Sequence, residues 1–195
     1  MPSSSTEAFP RRVREKFEED LFPGQSAMLE MIGRLTAEIK RMDQEAERLC
    51  KESYPETRVL RQVKGVGALT SLGFVLTLED PSRFAKSRTV GAYLGLRPRS
   101  RQSGDHQPQL RITKAGDALL RRYLVSAAQY ILGPFGPDTE LRRFGLKLAE
   151  RGGKAAKKRA VVAVARKLAV LLHRLWTTGE EYQAVGYGKQ TQEAA

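Results

Sequence analysis

One cysteine, two histidines and one tryptophan are all that this 195-residue sequence holds of those residue types. Cys50 alone forms no internal disulfide, and one Cys with two His falls short of the four ligands of a structural zinc. The chain therefore fits a reducing compartment and a fold without metal. Long apolar runs are also missing: the longest, Ala160 to Leu172, is interrupted by Arg166 and Lys167 and cannot supply the roughly 20 residues of a membrane span. The first residues show no basic stretch followed by an apolar core, the pattern of a secretory leader. These absences predict a cytoplasmic location, no membrane contact and no metal or other cofactor bound by this chain. With 41% hydrophobic and 29% charged residues, nine prolines and seventeen glycines, collagen-like and globally disordered chains are excluded as well.

Acids are scarce in one part only. The whole chain has 34 Lys and Arg against 22 Asp and Glu, a net charge of +12. Residues 1–58 hold ten basic and twelve acidic residues, whereas 59–195 hold 24 and ten. Arg97 to Arg122 contains seven basic and two acidic residues; Arg142 to Lys167 contains ten and one. A solvated helix face explains any single basic run as well as phosphate contact does. Two such runs favour a polyanionic partner, and DNA or another nucleic acid comes first.

The apolar pattern is helical throughout, which predicts an all-α fold: a helix-hairpin-helix-containing helical domain preceded by a coiled-coil-like arm. Residues 1–27 open with a Ser/Pro-rich stretch and are expected to be disordered or weakly ordered. Over 28–56, Met28, Ile32, Leu35, Ile39, Met42, Ala46 and Leu49 alternate in steps of four and three, the seam of a coiled coil. Its flanks Glu38, Asp43 and Glu45 would set like charges against each other in a parallel homodimer. A helical domain follows over 57–187, then a frayed tail, 188–195. It begins with apolar residues on both sides of Gly65-Val66-Gly67, a hairpin in which the glycines permit a tight reversal and the free amides of the next helix cradle a phosphate. A plain helix corner fits the same residues. Asp80 and Pro81 read as a helix start, Thr113 as the cap of a helix to Leu132 with Arg121 and Arg122 outward, and Asp138 as the opening of the next. From Arg97 to Gln109 the chain is polar, basic and broken by Pro and Gly, a surface loop. The last long helix starts with Lys154, Lys157, Lys158 and Arg159, the wrong sign for its dipole unless an anion binds there.

Taken in order, Val63-Lys64-Gly65-Val66-Gly67, Asp80-Pro81-Ser82-Arg83-Phe84, Ala92 to Pro98, Gln102-Ser103-Gly104, Arg111 to Asp117, Leu120-Arg121-Arg122 and Ala163 to Leu168 resemble the C-terminal transposase domain of the insertion-sequence 110/116/902 family. The resemblance covers about 59–187, and the arm before it is similar to that family's coiled-coil linker. It implies DNA recombination directed by a bridge RNA, with Ser103 at the position of the nucleophile. It further implies a RuvC-like domain, with a divalent metal such as Mg, whose acids complete the site. The 27 residues before the arm are too short for such a domain, so the chain reads either as a truncated or split descendant or as one whose acids a second polypeptide supplies, and a homo-oligomer is expected.

A serine attacking a phosphodiester needs cations around the phosphate and a base for its proton. Gly65, Gly67, Arg97, Arg99, Arg101, Arg111, Lys114, Lys154, Lys157, Lys158 and Arg159 are the candidate phosphate contacts. His106 is a candidate base or a solvent-facing loop histidine. On residue pattern alone Ser103 is an ordinary turn serine, with Ser100 an equal competitor. A non-catalytic DNA-binding remnant or regulator is the alternative function.

Overall fold

The computed structural model describes residues 4–17, 21–99 and 110–185. These are all-helical, as the sequence pattern predicts, and the chain forms two units, Met1–Leu49 and Cys50–Ala195. Among the described residues no helix is long and apolar enough to cross a membrane.

The first unit is built on helices α1 (Phe9–Phe17) and α2 (Pro23–Glu52), the latter running on into the second unit. Phe9, Val13 and Phe17 of α1 recur every fourth residue and face Met28, Leu29 and Ile32 of α2 across an apolar groove of about 350 Å³. Glu7 reaches Lys40 at 3.0 Å, so α1 folds back along α2. Within 1–27, read from the sequence as disordered or weakly ordered, α1 forms with its apolar stripe against α2. The coiled-coil-like seam lies along α2, and its Met28, Leu35, Ile39 and Met42, joined by Met31, remain 57–62% exposed. Glu38 bonds Arg41 at 2.9 Å and Glu45 bonds Arg48 at 2.6 Å, so two of the acidic flanks are neutralised within the helix itself.

In the second unit, α3 (Thr57–Leu60), α5 (Arg88–Tyr93), α6 (Ala118–Leu132) and α7 (Glu140–Ala149) gather around α8 (Gly153–Thr178), while α4 (Ala68–Leu78) packs on α3 and α6. The reason lies in α8's composition. Ala156, Ala160, Ala165 and Ala169 are small enough to admit neighbouring helices, while Val164, Leu168, Leu172 and Leu175 fill the centre and are fully buried. Burial of each such leucine contributes about 1.5–3 kcal/mol. Where α7 crosses α8, a methyl group on Gly145 would stand 2.5 Å from both Leu132 and Val164, so only glycine permits that approach. Phe74, Leu120, Leu124 and Ile131 close the core from α4 and α6.

His173 on α8 is 1% exposed. Its Nε2–H donates to the Pro81 carbonyl at 2.9 Å, leaving Nδ1 to accept the Ser87 hydroxyl at 2.9 Å. Phe84 packs its edge on this ring at 5.6 Å and on Tyr93 at 5.2 Å. The Asp80-Pro81-Ser82-Arg83-Phe84 motif is thus a structural anchor. Asp80 accepts the Ser82 backbone N–H and hydroxyl, which hold its carboxyl below the ordinary carboxylate range, the hydroxyl first. Pro81–Arg83 forms one 3-10 turn rather than an α-helix.

Three local readings change. Thr113 caps nothing: Lys114 at φ 59° and Gly116 at φ 76° keep the chain non-helical until Asp117, whose carboxylate accepts the Leu120 N–H at 2.6 Å. Thr139, not Asp138, caps α7 through the Arg142 N–H at 3.1 Å, and Asp138 pairs instead with Arg143. Arg121 does not point outward with Arg122; it turns onto backbone carbonyls.

Candidate nucleic-acid interface

Two short arms leave the helical body side by side. After α5 the backbone turns at Gly95 (φ 68°) into Leu96 to Arg99, and Leu110 to Lys114 returns antiparallel to it. Pro98 and Ile112 form the bridge. On either side, the Arg99 N–H donates to Arg111 O at 3.0 Å and the Thr113 N–H to Arg97 O at 2.9 Å. Pro98 sits where the ladder asks for no N–H, so a proline is tolerated. Ile112 packs on the core, and strand alternation then sets Arg97, Arg99 and Arg111 on the opposite face. All three are exposed, as is Lys114, whose own N–H donates to Gly95 O at 3.1 Å.

The fold therefore brings together four of the predicted phosphate contacts on two paired arms. Ser103, Arg101, His106 and Ser100 lie outside the described residues.

A second group sits on α8. Gly152 and Gly153, at φ 86° and 74°, turn the chain into the helix, which has neither a side-chain cap nor an acid in its first turn. Lys154, Lys157, Lys158 and Arg159 are exposed around it, while Ala156 and Ala160 anchor the opposite side. Four cations beside the positive end of a helix repel one another and leave its amides open to an anion.

The two glycines of Gly65-Val66-Gly67 separate in role. Gly65 adopts φ 97° and packs on α6, where an added methyl would lie 2.9 Å from the Tyr130 ring, so it serves the turn. Gly67 needs no unusual φ, and no described atom lies within 4 Å of where its side chain would be. Val66, between them, is buried. The helix before the turn, α3, is only one turn long.

Several cations of the basic runs have structural partners. Arg142 donates to Ile131 O at 2.6 Å and also to Gly133 O, closing the end of α6. Arg143 pairs with Asp138 and lowers that carboxyl's pKa. Arg166 lies across Gly91 of α5, and Lys167 stands 4.4 Å above the Phe144 ring. Net charge alone conceals this division. Sequence reasoning missed the inward roles of Arg121 and Arg142; the available sign for Arg121 was its position beside the apolar stripe Leu120, Leu124 and Ala128.

For a divalent metal the described residues do not fit. They hold no group of three or more His, Cys, Asp or Glu side chains able to bind an ion.

Comparison with known proteins bears on the same region. A family profile described as Transposase IS116/IS110/IS902 family matches residues 57–140. The transposase for insertion sequence element IS1111A of Coxiella burnetii is 34% identical over 142 residues, 72% of this chain and 38% of that protein. A Sinorhizobium fredii protein named as a transposase, y4pF/y4sB, is 29% identical over 159 residues, 80% of this chain and 40% of its own. The pilin gene-inverting protein of Moraxella lacunata is 31% identical over 111 residues, 56% of this chain and 33% of its own. The chain spans about two fifths of the length of the first two relatives. Residues 57–140 include α3 to α6 and both cationic arms, and over them the chain carries a domain of the IS116/IS110/IS902 transposase family.

Proposed function

We propose that this chain acts in DNA transposition or recombination, with Arg97, Arg99, Arg111 and Lys114 contacting the phosphate backbone and Ser103 as the nucleophile. The observation that carries this reading is the pairing of the two arms. The 100–109 segment, which contains Ser103, joins two strands whose exposed arginines share one face. In the proposed step the Ser103 hydroxyl attacks a phosphodiester. A P–Oγ bond forms, the bond to the leaving strand oxygen breaks, and the serine proton passes to a base, for which His106 is the candidate. Arginines at the phosphate stabilise charge as it builds in the transition state. Lys154 to Arg159 and the turn at Gly67 are further backbone contacts along the same DNA.

Bridge RNA selection of the target and the acids of a RuvC-like domain belong to this reading as partners. Divalent-metal chemistry is assigned to that domain, and no step in this chain is routed through it. Self-association is proposed through the apolar stripe of α2, because the ion pairs of Glu38 and Glu45 along the helix remove much of the like-charge repulsion between two copies.

Duplex binding measured against salt tests the interface. Each phosphate contact adds about 0.9 to the slope of log affinity against log salt. Replacing Arg97, Arg99 and Arg111 together with Ala is expected to lower the slope by about 2 to 3. An unchanged slope and affinity would remove the arms from the interface.

A further inference from the structure

We propose that Arg121 is a positioning residue for the two cationic arms, an inference that rests on reading those arms as the part of the chain that meets nucleic acid. Arg121 lies in the first turn of α6, where a basic residue has no favourable interaction with the helix dipole and solvent is its ordinary environment. Its Nη1 instead donates to Leu94 O at 3.1 Å, Ala115 O at 3.0 Å and Asp117 O at 3.3 Å. These carbonyls belong to three segments: the end of α5, the return from the arms, and the cap of α6.

The backbone around the guanidinium is interleaved. A methyl on Gly95 would overlap the backbone of Ala115, and one on Gly116 would overlap the Tyr93 carbonyl. Directly beyond this crossing come the bonds from Lys114 to Gly95, Thr113 to Arg97 and Arg99 to Arg111. Arg121 thus closes the base of the ladder whose far end presents the arginines. It acts through Leu94 and Ala115, without touching DNA.

Without the guanidinium, three carbonyls lose a donor and the two sides of the stem are free to separate. Lysine keeps the charge, but its ammonium lies one bond closer to the backbone than Nη1 and falls short of the point where the three carbonyls converge. Displacement of reacting groups by about 1 Å costs on the order of 100-fold in rate.

The test uses Arg121→Ala and Arg121→Lys in the full chain, with three readouts: hydrogen exchange at the Arg99, Thr113 and Lys114 amides, duplex affinity against salt, and the rate of covalent protein–DNA adduct formation at saturating DNA. Expected are exchange at least about tenfold faster at those amides with α8 still protected, affinity within about twofold, and an adduct rate lower by about 30- to 100-fold, only partly recovered by Lys. Unchanged exchange at the three amides overturns the proposal, as does a loss of affinity with the saturated rate intact. Should the Ala variant unfold, the Lys variant is read by the same criteria. If the parent forms no adduct even with a RuvC-like domain supplied, the Ser103 reading fails separately, and exchange and affinity still decide the role of Arg121.

Discussion

Pro98 faces Ile112 across a single antiparallel bridge, at a pair of positions that exchange no hydrogen bonds with each other. One residue holds the arms to the core through its apolar side chain; the other adds stiffness without breaking the ladder. The basic residues around them gain from this pairing what composition alone cannot provide, a common face.

The crossing of Gly95 and Gly116 beneath the arms makes the first prediction. Gly95→Ala or Gly116→Ala forces a side chain onto neighbouring backbone at positive φ, and each is expected to cost at least about 2 kcal/mol. Gly33→Ala on exposed α2, with open space around it, is expected to be neutral or stabilising by up to about 1 kcal/mol. Urea unfolding midpoints check all three.

His173→Leu preserves bulk but leaves the Pro81 carbonyl and the Ser87 hydroxyl without their partner. A loss of about 2–3 kcal/mol is expected. Thermal or urea unfolding measures it; an unchanged midpoint means that the 3-10 turn is held by Phe84 alone.

Stability at alkaline pH depends on Tyr182, whose backbone N–H donates to Gln62 at 2.7 Å. Its phenol is pushed above the usual 10.0, by burial first and then by Glu140. The unfolded tyrosine ionises at lower pH than the folded one. Its contribution is therefore complete below about pH 10 and is lost as pH rises through the elevated value. Tyr182→Phe is expected to unfold along a flatter curve between about pH 9.5 and 11. Parallel curves for the two proteins would contradict this.

Self-association through α2 is tested by Leu35→Glu with Ile39→Glu. Both positions are exposed, so the protomer is expected to remain folded while light scattering shows a shift toward monomer. Retention of the parent's mass would place any oligomer contact elsewhere.

Much of the scaffold was legible because α2, α6 and α8 each carry a long apolar repeat that no other structure satisfies. Helix α1 was not, since Phe9, Val13 and Phe17 make a stripe whose partner lies on another helix. The arms were readable as a polar, proline-containing stretch, but the pairing of Arg99 with Arg111 depends on a long-range register that local pattern does not encode. Arg121 and Arg142 show the same limit. An arginine turned onto main-chain carbonyls and one turned toward DNA have the same sequence signature, and only the carbonyls brought near them by the fold tell the two apart.

The most direct measurement is capture of a protein–DNA adduct, with the attached residue mapped by mass spectrometry. A suicide duplex is incubated with the chain and, in parallel, with the chain together with a separately supplied RuvC-like domain, the partner proposed for it. A phosphodiester link at Ser103, abolished by Ser103→Ala and retained by Ser100→Ala, is the expected result. An adduct at another residue, or equal adduct yield from Ser103→Ala, would contradict the assignment of the nucleophile.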